Sequence, residues 1–426
     1  MENNTPSRRI HNLGYLYHFL MIFVLTGAFI PIINKASGAK VDPYAGDPLT
    51  QIILVIGYAL LIPYLFIFHR KLVQGFRNTF WIWVLVGLAF LSFLWSDVPL
   101  ISLRKSISLF LLMVYGLILV LRFTLPEYFQ LLGRVLLTIL ILSLVFIIFL
   151  PNLGIMNDQG LVGAWSGIFT HKHFLGFVCD LSVIFFIYLF RESTNSAKYL
   201  WLGGIILAIV LTIGARSMEA LVGEIIIFMT ALLLRLVRSK NWAAMIGLTL
   251  FAIAGVVLLL NYSNLLDLMG KSQTLTGRTP IWENAIALGL QKPWFGYGYK
   301  GFWLNSEGAV TSLVSTLGMN PGHSHNGYID HFLDLGIVGI CLALIILGGA
   351  FVKIIRVMTL EQEYSIEMET LLILFVNLVI LNFVENHLFE TNQLSTMFLL
   401  QMNYFGTLML QSVVSKRRSL FLINEA

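Results

Sequence analysis

Residues 199–237 read YLWLGGIILAIVLTIGARSMEALVGEIIIFMTALLLRLV, two apolar stretches separated only by a few polar residues around Arg216. A helix needs about 20 mostly apolar residues to cross the hydrocarbon core of a bilayer, and each of these stretches is about that long. The segment therefore predicts two membrane-spanning helices that follow each other with almost no loop.

The rest of the chain has the same character. Of its 426 residues 58% are hydrophobic and only 12% are charged, and the mean hydropathy is +0.83. A soluble protein carries about a quarter of its residues as charges, so this composition excludes an ordinary soluble domain. We predict an all-α polytopic membrane protein of about 12 transmembrane helices, at 12–34, 50–69, 78–95, 106–124, 130–150, 173–190, 199–215, 217–237, 242–260, 333–356, 369–389 and 394–413.

The distribution of basic residues predicts the orientation of these helices. Lys and Arg are enriched in cytoplasmic loops of membrane proteins. With the N-terminus in the cytoplasm, 17 of the 27 Lys and Arg residues fall on the cytoplasmic side, and an even number of spans places both termini there. We therefore expect a single membrane domain, 1–426, with a long external loop at 261–332 that contains a short amphipathic helix near 278–291.

Two other features of the composition carry little functional information. The net charge of +5 does not indicate a nucleic-acid partner, because the basic residues are scattered between apolar segments. Cys179 and Cys341 each lie in an apolar run without a partner at metal-ligand spacing, so we interpret both as small hydrophobic residues.

Basic residues on the predicted external side are more informative, and four of them lie next to membrane segments: Arg104, Lys172, Arg216 and Arg278. An ionisable residue at the depth of Arg216 is costly unless it is paired or solvated, and it is a candidate functional residue. Arginine suits an anion site because its planar guanidinium binds phosphate through two parallel hydrogen bonds. A local pair with Glu219, or a side chain that extends to the interface, remains the structural alternative for Arg216.

The segment GHSHNGYIDHFLDLGIVG, residues 322–339, concentrates polar groups before an apolar helix. His323 and His325 together with Asp330 and Asp334 are one possible zinc ligand set. Alternatively, His325 lies just before the helix and acts as a single base that takes a proton from a hydroxyl group. A purely structural histidine that caps the helix or bonds to the loop is the third possibility.

These motifs together resemble the superfamily of O-antigen ligases and Wzy-type polysaccharide polymerases. The resemblance rests on FLWSDVPLISLRKS at 93–106, GIFTHKHFLG at 167–176, the turn at Arg216, GRTPIWENA at 277–285 with PWFGYGYKGFW at 293–303, and HSHNGYIDHFLDLGIVG at 323–339. It covers about residues 80–400. The HKH and HNGY forms favour exopolysaccharide polymerases of the ExoQ type, although ligases share the pattern.

The resemblance implies an inverting glycosyltransferase that needs neither a metal ion nor another cofactor. By position, His325 corresponds to the base that deprotonates the acceptor hydroxyl, and Arg216 and Arg278 correspond to the arginines that hold the donor diphosphate. Arg104 and Lys172 are further candidates for binding the same anion. An enzyme without Mg²⁺ must stabilise the departing diphosphate with fixed cations, and the arginines provide them.

The resemblance also implies the substrates and the location. The donor is a glycan on undecaprenyl diphosphate, and the acceptor is another glycan or a lipid A core, with membrane lipids around the protein. We expect Trp282 and Asn326, which lie in the quoted motifs, to contribute to substrate binding. Trp282 can stack on a sugar ring or lie in the headgroup belt. The protein is expected in the bacterial inner membrane, with its active site on the periplasmic face.

Two other classes of membrane protein remain possible, a lipid-linked oligosaccharide flippase and a polysaccharide transporter. A secondary transporter usually contains paired repeats with broken helices in matching positions, and the two halves of this sequence do not show them. A flippase would distribute cations along a cavity through both leaflets, whereas the unexplained cations here lie on one side. The sequence does not separate a polymerase from a ligase.

Overall fold

The computed structural model describes residues 6–29, 48–157, 161–240, 278–305, 307–360, 365–391 and 393–424. Helices dominate this part of the chain: α1 Pro6–Leu25, α2 Pro48–Ala59, α3 Ile62–Asn78, α4 Phe80–Leu91, α5 Pro99–Arg122, α6 Leu125–Phe149, α7 Lys172–Glu192, α8 Ala197–Ala215, α9 Met218–Arg238, α10 Arg278–Gly289, α11 Val310–Leu317, α12 Gly327–Leu360, α13 Ile366–Leu381 and α14 Leu394–Asn424.

The helices confirm a multi-pass membrane protein. Among the described residues, the six helices α5, α6, α7, α8, α9 and α12 are long and apolar enough to cross a membrane, and the bent pair of α2 and α3 makes up to seven. Helices α1 and α4 contain shorter apolar segments. Eleven of the twelve predicted spans coincide at least in part with a helix, and the predicted span 242–260 lies outside the described residues.

The predicted spans 50–69 and 369–389 are each interrupted in the structure. The predicted span 50–69 is bent by 54° between α2 and α3, next to Pro63, whose ring cannot continue a helix without losing a hydrogen bond. The predicted span 369–389 ends at Leu381, because the side chain of Asn382 accepts hydrogen bonds from the backbone N–H groups of His387 and Leu388 and folds the chain into a compact turn.

The bundle is organised around α7, which packs against α6, α8, α9 and α13. The most apolar stretch of α7 is 72% buried, whereas the corresponding stretches of α8 and α9 are 28% buried. Helix α7 therefore lies inside the bundle, and α8 and α9 present most of their surface outward. At one end of the bundle, Glu369 accepts hydrogen bonds from Arg191 at 2.8 Å and from Arg238. This cluster ties α7, α9 and α13 together at the end predicted to be cytoplasmic.

The opposite end of the bundle carries the segment that contains α10 and α11, which has a small apolar core of its own. This segment packs onto α12 at a break in that helix. Gly336 has φ +64°, and a Cβ at this position would lie 2.4 Å from the backbone of Trp294. The freed N–H groups of Ile337 and Val338 bond to the carbonyls of Pro293 and Trp294. The break therefore anchors the segment that contains α10 and α11 to the bundle and orients residues 327–335.

Candidate functional site

A cavity of about 820 Å³ lies at this same end of the bundle, where α1 and α13 end and α7, α9, α12 and α14 begin. Its volume is typical of a ligand-binding cavity. The wall is mixed, with apolar side chains of α7 next to many ionisable ones. The polar and charged residues that line it are Thr26, Lys105, Thr170, His171, His173, Glu219, Lys300, His323, His325, Asp330, Glu385, Asn386, His387, Glu390, Thr391 and Gln393.

His325 lies in this wall, held by the residues on either side of it. Its backbone is left-handed, with φ +54°, a conformation that non-glycine residues adopt at a cost and that often marks a functional site. The next residue, Asn326, caps α12, because its Oδ1 accepts hydrogen bonds from the N–H groups of Tyr328 at 3.1 Å and Ile329 at 3.3 Å. The prediction that a helix starts near Asn326 with His325 just before it is confirmed.

The partner of His325 comes from a distant part of the chain. Its Nδ1 lies 2.9 Å from Oε2 of Glu385, and Nδ1 of His323 lies 3.2 Å from Oε1 of the same carboxylate. Burial raises the pKa of the Glu385 carboxyl, but the two histidines outweigh burial and hold that pKa below its usual value. Burial lowers the pKa of His323, which favours its neutral form. Glu385 is therefore an anion that orients His325.

A second carboxylate on the cavity wall is also held by two histidines. Oε1 of Glu219 lies 2.5 Å from Nε2 of His387, and its Oε2 lies 3.1 Å from Nδ1 of His173. The rings of His171 and His173 stack with centroids 4.7 Å apart. The structural alternative that pairs Arg216 with Glu219 is therefore wrong, because His173 and His387 contact the Glu219 carboxylate.

Lys300 lies in a third ionic cluster. Its Nζ contacts Oδ2 of Asp334 at 3.2 Å and also bonds to Glu390. Burial alone would lower the pKa of Lys300, but the two carboxylates raise it well above its usual value. Lys300 is thus a cation that fixes the segment containing α10 and α11 to α12 and to the residues just before α14.

The predicted anion-binding residues form two groups just outside the lining. Nζ of Lys172 donates to the backbone carbonyl of Arg216 at 3.1 Å, and Nη1 of Arg216 donates to the carbonyl of Val162 at 3.4 Å. Arg278 donates to the carbonyl of Val384 at 2.5 Å, and its Nη2 lies 4.0 Å from Glu385. The structure thus brings Lys172 together with Arg216, and Arg278 together with the His325 pair.

The other predicted substrate-binding residues have structural contacts. Nε1 of Trp282 donates to the carbonyl of Ser324 at 2.8 Å and so supports the loop before His325. Arg104 is exposed on the first turns of α5, one residue before Lys105, which lines the cavity. Within the described part of the chain the cations of the lining are Lys105 and Lys300. Substrate binding by Arg104, Trp282 and Asn326 stays a prediction.

The zinc ligand set considered from the sequence is wrong in its carboxylates. Asp330 accepts hydrogen bonds from Trp303 at 2.8 Å and from Asn386 at 2.7 Å, and Asp334 is paired with Lys300. The carboxylate next to His323 and His325 is Glu385 instead, and one ligand atom from each of these three residues lies within 4.8 Å of the others.

Sequence reasoning missed Glu385 and His387 because both were assigned to the interior of the span 369–389. A signal was present. The stretch VENHLFET, 384–391, contains five polar side chains within an apolar segment, and such residues in a membrane segment mark a functional site. Glu219 was considered only as a partner for Arg216.

Two comparisons with known proteins bear on this site. Residues 203–344 match a family model described as O-antigen ligase. The chain is also 25% identical over 319 residues to the exopolysaccharide production protein ExoQ of Rhizobium meliloti (strain 1021), an alignment that covers 71% of each chain. These matches confirm the resemblance drawn from the motifs, and they support a ligase- or polymerase-type function in a membrane protein.

Proposed function

On the premise that the chain is similar to the O-antigen ligases and to ExoQ, we propose that it is an inverting glycosyltransferase. It transfers a glycan from undecaprenyl diphosphate to an acceptor hydroxyl at the outer face of the bacterial inner membrane. The observation that carries the proposal is the pair of His325 and Glu385 in the wall of a cavity of about 820 Å³. An oriented histidine is the usual means of activating a hydroxyl group as a nucleophile.

The contact between His325 and Glu385 indicates which nitrogen of His325 carries the proton. When Nδ1–H of His325 donates to Glu385, Nε2 has a free lone pair and can accept the proton of the acceptor hydroxyl. The hydroxyl oxygen then attacks the anomeric carbon, and the bond from that carbon to the diphosphate oxygen breaks with its electron pair on the phosphate. The glycosidic bond forms with inversion, and His325 carries the proton as an imidazolium that Glu385 stabilises.

Fixed cations near the cavity stabilise the negative charge of the departing diphosphate. Arg278 lies next to the base, 4.0 Å from Glu385, while Arg216 and Lys172 are joined at the turn between α8 and α9. Lys105 and Lys300 line the cavity itself. Preorganised cations stabilise charge that develops in the transition state without a cost of reorganisation. We therefore assign binding of the donor diphosphate to Arg216 and Arg278, with Lys172 and Arg104 as further contributors.

The orientation supports an extracytoplasmic reaction. The charge asymmetry assigns the ends of the helices that surround the cavity to the outer side, and the cluster of Arg191, Arg238 and Glu369 to the cytoplasmic side. About twelve spans with both termini in the cytoplasm complete this topology.

The similarity to ExoQ, an exopolysaccharide production protein, favours a polymerase over a ligase. The test is to incubate the purified full-length protein in detergent with a polyprenyl-diphosphate-linked oligosaccharide, with and without a lipid A core acceptor. We expect a ladder of extended glycans on the polyprenyl carrier. Transfer only to the lipid A core would identify a ligase. Movement of the lipid-linked glycan across vesicle membranes without any new glycosidic bond would contradict both and favour a flippase.

A further inference from the structure

His323, His325 and Glu385 form a cluster whose geometry the transfer reaction does not require. A base needs one histidine and one orienting carboxylate, but here two histidines face the two oxygens of one carboxylate at 3.2 Å and 2.9 Å. The left-handed backbone of His325 brings the two rings to centroids 4.1 Å apart. Two residues apart in an extended chain, their side chains would point the same way but lie farther apart.

One nitrogen of His323 has two neighbours with opposite requirements. The backbone N–H of His325 lies 3.2 Å from Nδ1 of His323 and requires a lone pair there, whereas Oε1 of Glu385 lies 3.2 Å from the same nitrogen and requires a proton. A ring nitrogen cannot satisfy both contacts at once. A cation ligated by the imidazole lone pair and by the carboxylate removes the need for a proton at this nitrogen.

We propose that His323, His325 and Glu385 form a binding site for a divalent transition-metal cation of the Zn²⁺ class. Two imidazole nitrogens and one carboxylate oxygen are a three-residue ligand set typical of zinc sites with an open fourth position. The three ligand atoms lie within 4.8 Å of one another, while the ligands of a tetrahedral zinc ion are separated by about 3.3 Å. All three residues line the cavity, so a ligand in the cavity could reach a metal ion held by them.

A metal ion bound at this site blocks His325 as a base, which rests on the role of His325 proposed above. A neutral imidazole has one N–H group, so coordination of the metal by Nδ1 moves the ring proton to Nε2. Nε2 then has no lone pair to accept the acceptor's proton. Bound metal also takes the carboxylate that orients the ring. The cation is thus an inhibitor of the transferase, and the enzyme is active when the site is empty of metal.

The chain offers a matched control for this site. His173, Glu219 and His387 form a second cluster of two histidines and a carboxylate on the same cavity wall. A cation that binds non-specifically to histidine would bind to both clusters equally. Replacement of His173 therefore tests whether zinc selects the triad of His323, His325 and Glu385.

The experiment measures Zn²⁺ binding directly, by competition with a chromogenic chelator. It uses the full-length protein in detergent after removal of any affinity tag. We expect one tight equivalent of Zn²⁺ in the wild type. H323Q and E385Q should each weaken this binding by at least about tenfold, while H173A keeps it. Circular dichroism and thermal unfolding of each variant show whether it is folded, and E385Q retains the shape of the native side chain.

A second measurement addresses inhibition. Zn²⁺ should lower glycan transfer over the same concentration range as it binds, EDTA should restore the rate, and H323Q should need at least about tenfold more Zn²⁺ relative to its own zinc-free rate. Tight binding that survives in H323Q and E385Q, or that is lost in H173A, overturns the site. Binding at the triad without any loss of rate overturns the inhibition. The zinc-binding assay does not depend on glycan transfer. A failure of the proposed transferase function is therefore recognised separately, because H325A would then transfer glycan at the wild-type rate.

Discussion

Nδ1 of His325 lies 2.9 Å from Oε2 of Glu385, a residue 60 positions further along the chain. The two residues belong to different segments, one before α12 and the other after α13, so the pair exists only in the folded bundle. Arg278 lies beside the pair, with its Nη2 4.0 Å from Glu385.

Replacement of His325 by alanine should abolish glycan transfer while the affinity for the lipid-linked donor changes little. Removal of a general base lowers a rate by about 10²–10⁴-fold, and a sugar hydroxyl is a poor nucleophile without one. Transfer and donor binding are both measured on the purified variant. His69, an exposed histidine at the other end of the bundle, provides the control H69A. Wild-type transfer by H325A would move the chemistry elsewhere, most plainly to His171, Lys172 and His173.

Replacement of Glu385 by glutamine should lower the turnover number more than the affinity for the donor. The amide has the shape of the carboxylate but no charge to orient His325 and stabilise its protonated form, and loss of such a partner costs up to about 10⁴-fold in turnover. Steady-state kinetics separates kcat from KM. E307Q changes an exposed glutamate of the segment between α10 and α11 and should be neutral. Equal turnover of E385Q and E307Q would show that Glu385 does not position the base.

Replacement of Arg216 or Arg278 by alanine should weaken donor binding as well as turnover. Lysine should restore only part of the loss, because a point charge cannot reproduce two parallel hydrogen bonds to phosphate. Binding of a polyprenyl-diphosphate lipid to each purified variant gives the answer. R235K, on an exposed arginine of the opposite end of α9, is the matched control. Normal donor affinity in both alanine variants would refute the assignment.

Replacement of Lys300 by methionine should destabilise the protein by about 3–5 kcal/mol, because it leaves the buried Asp334 and the half-buried Glu390 without their cation. The pKa of Lys300 is raised in the folded state, so Lys300 stays charged between pH 6 and pH 9. Burial raises the pKa of Asp334 to about 7, so part of that carboxyl is protonated at pH 6 and the ion pair is complete only at higher pH. The loss in Tm should therefore be larger at pH 9 than at pH 6.

Thermal unfolding in detergent across that pH range measures the effect, and K300M with D334N should recover part of the stability. The exposed Lys71 provides a control substitution, K71M. A loss in Tm that became smaller as the pH rose from 6 to 9 would contradict the ion-pair explanation.

Cysteines introduced at Ser315 and Ser239 should react with an impermeant thiol reagent from opposite sides of the membrane. Ser315 is exposed on the external segment and Ser239 is exposed after the end of α9. The native Cys341 is exposed on the protein and is replaced first, whereas Cys179 is buried. In intact cells only S315C should be labelled, and S239C should react after permeabilisation. Labelling of both from one side would refute the orientation.

Much of the fold follows from the sequence because the bilayer restricts it. Apolar stretches of about 20 residues that are flanked by polar ones can only become helices when water is absent, and the hairpin around Arg216 is one of them. The start of α12 was also predictable, since Asn326 is a good helix cap. His325 became a candidate base because it is a titratable side chain just before that cap and because the resemblance places the base there.

Tertiary structure decided what surrounds His325. Glu385 and His387 looked like parts of a spanning helix, and only the turn formed by Asn382 places them in the cavity wall. Hydrophobic periodicity reports which residues avoid water, but it does not report which buried polar groups meet across the bundle. Those partners satisfy each other through contacts between distant segments, which no local pattern encodes. The sequence determined the helices and one histidine, and packing of the helix ends determined the carboxylate that orients it.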